Sequence, residues 1–263
     1  MNSFTLIAKK YTPTKFRIFL REIKWKLLYY FQSILKLRVK KSFYCPVNEK
    51  YYRTFIQYKN LTISPDLGAR ERHRFIWHYI KNQTNLLIGT KKIKLLHISP
   101  EYCFYQNFRK HVHIDYYPVD KFEPGYDYLN LTRNFDLLDN HLPKNEYDFI
   151  LCNHVLEHII DDKKAIRNLF SLLKNEGKAI VSVPILHDQL TFEDYSITSP
   201  KLRKLYFGQW DHVRYYGIDI VERFKEVGFS VKTIISQEYF SENERLTFGI
   251  GINSYLFELS KTQ

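Results

Sequence analysis

Residues 147–185 read YDFILCNHVLEHIIDDKKAIRNLFSLLKNEGKAIVSVPI. The uninterrupted apolar run Phe149 to Cys152 has the length of a buried strand, and Asn153 and His154 break it. From about Asp161 to Leu173 apolar residues recur at helical spacing, Asn175-Glu176-Gly177 signals a turn, and Ala179 to Val183 is a second buried strand. The stretch therefore predicts a β-α-β unit. In open α/β sheets, ligands bind outside the carboxyl ends of such strands.

The alternation continues outward. Upstream, the pattern predicts a helix over Arg70 to Lys81, a strand over Ile93 to Ile98, a helix over Tyr102 to Lys110, a strand over Ile114 to Val119, and a short helix or turn over Phe135 to Asn140. Downstream, Asp219 to Val227 is a helix stopped by Gly228, Ser230 to Ile235 a strand, and Ser254 to Leu259 a last strand with no helix before it. Helices between buried strands imply a doubly wound α/β fold with a mainly parallel sheet, and strands joined without a helix imply an antiparallel addition.

The 263 residues, 44% hydrophobic and 17% aromatic, suffice for a packed core. No apolar run reaches the roughly 18–20 residues of a membrane span, and no apolar signal core is evident, so the expected place is the cytoplasm. Cys45, Cys103 and Cys152 are odd in number and widely spaced, which indicates neither a disulfide framework nor a metal cluster.

The net charge of +12 is concentrated. Residues 1–45 hold eleven Lys and Arg against Glu22 alone, a net +10. Thr12-Pro13 reads as a helix start, and Phe16, Phe19, Leu20, Ile23, Leu27, Tyr30, Phe31 and Ile34 follow at helical spacing, interleaved with Arg17, Arg21 and Lys24. Residues 1–41 are thus assigned as a basic amphipathic segment, and two readings stay open. The helix lies on an anionic membrane through residues 12–41, making the protein peripheral at the inner face of the cell membrane, or its apolar stripe packs on the rest of the chain.

The wording of residues 147–185 resembles the fourth and fifth strands of class I S-adenosylmethionine-dependent methyltransferases of the type 11-like group. Within it, one bacterial subfamily carries a zinc ribbon, Cys-Pro-x-Cys-Gly twice, before a Glu-Arg-His-Arg helix start. Residues 42–68 resemble that ribbon in degenerate form: Cys45 remains, and Ser64 and Leu67 stand at the second pair. One cysteine cannot complete a tetrahedral zinc site. The expectation is no metal, with a hairpin held by Phe43, Tyr51, Tyr52, Phe55 and Tyr58. The resemblance implies a Rossmann-like seven-stranded domain over 69–263 and S-adenosyl-L-methionine as cofactor.

An adenosyl site needs close backbone approach after the first strand and a carboxylate after the second. Asp120, closing Tyr-Tyr-Pro-Val-Asp, meets the second need. The first turn, Leu96-His97-Ile98-Ser99-Pro100-Glu101, has no glycine, but it resembles the Leu-His-x-Ala-Pro-Glu of the same subfamily. That carry-over makes His97, Ser99, Pro100 and Glu101 cofactor residues, with Glu101 toward the donor's ammonium. Asn130, with Leu131 beside it, sits where the family usually places an adenine-binding aspartate, and Asn153 and His154 line the methyl side. His158 reads as structural or functional. One arginine of the Arg70 to Arg74 run either reaches the donor carboxylate or faces solvent.

The long connection 186–217 has the length of a lid or binding loop, and its Phe207-Gly208-Gln209-Trp210-Asp211-His212-Val213-Arg214 resembles a run of the subfamily. For a hydroxyl acceptor, His212 is the expected general base, Asp211 fixes its tautomer, Arg214 binds an anionic group of the acceptor and Trp210 walls the pocket. The function so read is methyl transfer to a small-molecule or glycan-type acceptor. Two alternatives remain: a catalytically degenerate fold serving as a binding module at the membrane, and a nucleic-acid methyltransferase. Nucleic acid is the less expected partner, because strand four ends in Cys-Asn-His-Val and lacks the Asn/Asp-Pro-Pro-aromatic turn of the base-methylating enzymes.

Overall fold

The computed structural model describes residues 14–35, 42–123 and 128–262. It opens with helix α1 (Thr14–Leu35) and two small hairpins, β1 (Phe43–Cys45) with β2 (Lys50–Tyr52) and β3 (Ile56–Tyr58) with β4 (Leu61–Ile63). Then come α2 (Glu71–Gln83), β5 (Ile93–Ile98), α3 (Tyr102–Phe108), β6 (Ile114–Asp120), β7 (Arg133–Asn134), β8 (Tyr147–Asn153), a 3-10 turn (Leu156–His158), α4 (Asp162–Leu172) and β9 (Leu173–Ser182). The long connection holds β10 (Phe192–Glu193), α5 (Pro200–Tyr206) and β11 (Arg214–Tyr215). The chain ends with α6 (Ile220–Val227), β12 (Phe229–Ile235), α7 (Ser236–Tyr239), α8 (Glu242–Phe248) and β13 (Tyr255–Lys261).

Seven strands form one sheet in the order β12-β13-β9-β8-β5-β6-β7, with β13 antiparallel to both neighbours and the rest parallel. The winding reverses between β5 and β8, which pair from Leu95↔Phe149 to Ile98↔Cys152. This is the switch point at which doubly wound sheets open a crevice. The period of two sends Leu95 and Leu151 to one core with Phe75, Trp77, Phe104 and Phe108, and Leu96 and Ile150 to the other with Leu169 and Phe224.

Local chemistry sets the boundaries. Asp161 caps α4 by accepting from the Lys164 amide at 2.9 Å, and Gly228, at φ +105°, ends α6 in the left-handed conformation that glycine tolerates. Three expectations need correction. Asn175 to Gly177 is an irregularity within β9, between the pairs Tyr147↔Leu173 and Phe149↔Lys178, and a Cβ on Gly177 would lie 2.8 Å from the Leu173 side chain. Arg133 and Asn134 form a third strand just before the turn expected over Phe135 to Asn140. Two helices, α7 and α8, stand between β12 and β13 where none was expected; Ser241 and Glu244 form a capping box there, and Gly249 closes α8 at φ +61°.

The expected hairpin of residues 42–68 is two hairpins. Phe55 packs between Phe43 (ring centroids 5.3 Å apart) and Tyr52 (6.1 Å), and Cys45 lies buried beside Ser64, where burial pushes its thiol pKa up. Arg74 binds this section to the C-terminal part: it donates to the carbonyls of Thr62 (3.1 Å), Ala69 (2.7 Å), Phe248 (2.5 Å) and Gly249 (2.7 Å). Burial lowers its pKa to about 10.

Helix α1 packs through the face opposite its apolar stripe. Trp25 meets Tyr58 edge-on at 5.3 Å, Tyr29 meets Tyr52 at 5.9 Å, and Gln32 exchanges two 3.0 Å hydrogen bonds with the Gln57 backbone. Phe16, Phe19, Leu20, Ile23, Leu27, Tyr30, Phe31, Ile34 and Leu35 are left 37–70% exposed. The expectation that this stripe packs on the rest of the chain is therefore corrected. The helix start at Thr12-Pro13 and residues 36–41 lie outside the described residues. Among the described residues no helix is long and apolar enough to cross a membrane.

Candidate active site

The turn after β5 solves its lack of glycine directly. Ser99 adopts φ +53°, its amide donates to the Val119 carbonyl at 2.8 Å, and Pro100 leads into α3. A left-handed non-glycine residue costs on the order of 1 kcal/mol. It aims Glu101, the residue before α3, back under the strand end.

Glu101 Oε2 accepts from Nε2–H of the fully buried His97 at 2.8 Å, so His97 Nδ1 accepts from the Tyr116 hydroxyl at 3.0 Å. Glu101 Oε1 is buried and has no hydrogen-bond partner among the described residues. Facing it at 3.9 Å is His73 Nε2, also buried and unpartnered. His73 Nδ1 accepts from the Arg70 amide at 3.2 Å, which places the proton on Nε2; burial, then Arg72 and Arg70, hold its pKa well below the ordinary histidine value. An unmet acceptor and an unmet donor too far apart to bond each other mark a place for a polar ligand.

Both residues line a crevice of 310 Å³ whose other walls include Arg21 and Trp25 of α1, Tyr58, Arg70 and Arg72. Tyr102 separates it from a second crevice of 240 Å³ that reaches Tyr105, Leu129 and Asn130. Helix α1 is strapped over Tyr102, whose hydroxyl donates to Glu22 Oε1 at 3.0 Å under the Arg21 guanidinium, 5.0 Å from the ring. One carboxylate with an unused oxygen among three arginines matches a zwitterionic amino-acid end. The residues present fit the methionine moiety of an adenosyl donor.

Asp120 ends β6 half-buried, and burial raises its pKa to about 6 although Lys121 and Ser99 hydrogen-bond to it. A carboxylate raised above its unfolded value of 3.8 favours folding only while protonated, so this contribution is lost as pH rises through 6. Asp120→Asn is therefore expected to stabilise the free protein at pH 7 by about 1–2 kcal/mol after allowance for solvent screening, raising Tm by roughly 3–6 °C. The gain should vanish near pH 4. A neutral or negative Tm shift at pH 7 would remove Asp120 from the set of groups kept for a ligand at the expense of stability.

The remaining expected residues scatter. Asn130 belongs to the second crevice and is engaged through its backbone carbonyl, which accepts from Tyr105 at 2.6 Å; Leu131 is 70% exposed. Buried Asn153 accepts from the Ser182 hydroxyl at 3.1 Å and leaves its Nδ2 unpartnered. His154, at φ +54°, donates from Nδ1 to Glu157 Oε1 at 3.1 Å.

The lid expectations need correction. His212 Nδ1 donates to the Phe207 carbonyl at 2.9 Å, so that carbonyl, not Asp211, fixes its tautomer; burial lowers its pKa. Asp211 faces His158 Nδ1 at 3.5 Å and accepts from Gln209 at 2.8 Å. Arg214 is fully buried and has no way to reach an acceptor: it binds Glu193 (2.7 Å), the carbonyls of Leu156 (3.1 Å), Ile159 and Ile160 (2.7 Å), and Tyr195 (3.1 Å). Trp210, 42% exposed, walls neither crevice. His73 and Glu157 were not anticipated; the Glu-Arg-His-Arg and Glu157-His158 runs carried the only signal for them.

The strand order, the reversal between β5 and β8 and the acidic strand ends define a class I methyltransferase. A family description of the methyltransferase domain matches residues 70–234, and the chain belongs to that family, with S-adenosyl-L-methionine as donor. No curated protein matches it in sequence. Similar solved structures include an S-adenosylmethionine-dependent methyltransferase from Archaeoglobus fulgidus, with 14% identity, 71% of this chain and 93% of that one covered, and a TM-score of 0.49. Another, from Mesorhizobium loti, has 13% identity, coverage of 70% and 96%, and a TM-score of 0.48.

Proposed function

We propose that the protein methylates a hydroxyl of a small, glycan-type acceptor presented at an anionic membrane surface. The observation that carries the reading is α1: one helix closes the crevice holding Glu101 and turns nine large apolar side chains outward. Exposed apolar patches of this size on a basic segment fit a lipid interface, where each nearby Lys or Arg adds about 1 kcal/mol.

The donor supplies an activated methyl group on a sulfonium. The chain's own residues then have two tasks, alignment and removal of the hydroxyl proton. Glu101 Oε1 takes the ammonium of the donor, Arg70 or Arg72 its carboxylate, and Asp120 the ribose hydroxyls. For the proton, His154 is the base we favour over His212. Its Nδ1–H is committed to Glu157, so Nε2 carries the free lone pair, and the residue directly follows β8. Glu157 serves as orienting carboxylate: burial pushes its pKa up, but the hydrogen bond from His154 brings it below the ordinary value.

The full chain is expected to sediment with vesicles containing phosphatidylglycerol and to stay in solution with pure phosphatidylcholine. Leu27→Glu together with Phe31→Glu should weaken binding at least tenfold (roughly 1.4 kcal/mol) without lowering Tm. Methyl label from the donor should enter the lipid-extractable fraction of a bacterial membrane preparation. Equal sedimentation with both vesicle types, or label confined to water-soluble products, would sink the membrane-acceptor reading.

A further inference from the structure

We propose that Glu157, His158 and His212 form a binding site for a divalent first-row transition ion of the zinc type. Each offers a ligand atom within 4.8 Å of the other two, and together they supply two imidazoles and one carboxylate. The hydrogen bonding around them leaves the donor atoms free. Glu157 uses Oε1 for His154, while its Oε2 is buried and has no partner among the described residues, in a side chain that is 1% exposed. His212 commits Nδ1–H to the Phe207 carbonyl, which leaves the Nε2 lone pair available. His158 turns Nδ1 to Asp211 at 3.5 Å, and its ring packs edge-on against His212 with centroids 4.8 Å apart.

This is how metal-binding histidines are usually held: the second ring nitrogen donates to a carbonyl or carboxylate, fixing tautomer and orientation. Without an ion, the arrangement strands a buried carboxylate oxygen next to two imidazoles, at a cost a core would not retain for packing alone. His158 and Asp211 are about 30% exposed at the side chain, which gives an ion a path from solvent. Three protein ligands leave a coordination position open. Cysteine spacing is silent on such a site, because its donors come from the 3-10 turn after β8 and from the lid. The use of the open position for an acceptor oxygen rests on the methyl-transfer reading; the binding of the ion does not.

Divalent cobalt alone, titrated into chelator-treated full-length protein, should develop visible d–d absorption that saturates at one equivalent and is displaced by zinc, which binds such donor sets more tightly. Zinc should raise the unfolding temperature of the protein. His158→Ala, at a position about 30% exposed, should keep the fold and weaken cobalt at least 100-fold; Glu157→Gln should do the same by removing the anionic ligand. No absorption band up to millimolar cobalt, or a band that persists in both variants, overturns the proposal. Calorimetric titration of the metal-free protein with S-adenosylhomocysteine reads the donor site independently, so failure of one reading is told from failure of the other.

Discussion

Arg214→Met is expected to destabilise the protein by about 3–5 kcal/mol, lowering Tm by on the order of 10 °C. Methionine fills much of the same volume, so the loss is polar. The carbonyls of Ile159 and Ile160 lose their donor, that of Leu156 is left with the Ile159 amide at 3.2 Å, and among the described residues Glu193 keeps Arg223, at 3.0 Å, as its partner. The neighbouring Asp162 shares Arg223 (2.7 Å) and the Tyr216 hydroxyl (2.6 Å), so one substitution loosens a network that ties the lid to α4 and α6. Lysine should not rescue it, because one ammonium does not reproduce the planar fork that spans five acceptors. Urea unfolding of both variants checks this. A stable Arg214→Met protein with only a raised acceptor KM would restore the substrate-binding role that the sequence suggested.

That contrast shows what sequence can carry. The β-α-β unit was legible because Phe149 to Cys152 and Ala179 to Val183 are buried on both faces, and uninterrupted apolar runs have few other uses. β7 was not, because two exposed residues, Arg133 and Asn134, leave no hydrophobic period. Helices α7 and α8 were legible in principle through Ser241, Glu244 and Gly249, but their short lengths carry little amphipathic signal. In the site, Asp120 follows from a strand end, and Glu101 only from the resemblance of its glycine-free turn to Leu-His-x-Ala-Pro-Glu. The lid does not, because charge in a sequence says nothing of burial. Arg214 resembles a ligand-binding residue until its carbonyl partners are seen, and Asp211 and His212, adjacent in an irregular segment, point to different neighbours.

Glu101→Gln is expected to weaken S-adenosylhomocysteine binding by at least 100-fold, about 2.7 kcal/mol, which lies within the range for truncating a buried charge-assisted contact. Glutamine keeps the shape, and its carbonyl can still accept from His97 Nε2. That orientation places the amide NH2 where Oε1 stood, so a donor replaces the acceptor that an ammonium requires. In the free protein the His97 contact persists with a neutral acceptor and Oε1 has no hydrogen-bond partner among the described residues to lose, so Tm should change little. The sharper readout is selectivity. Wild-type protein should prefer S-adenosylhomocysteine to methylthioadenosine, which has no amino-acid end, and Glu101→Gln should narrow that preference to what Arg70 or Arg72 gains from the carboxylate. A folded variant that keeps the wild-type preference would move the ammonium site away from Glu101. Wild-type protein that binds neither compound at millimolar concentration would show that the crevice between α1, α2 and the strand ends does not hold the donor.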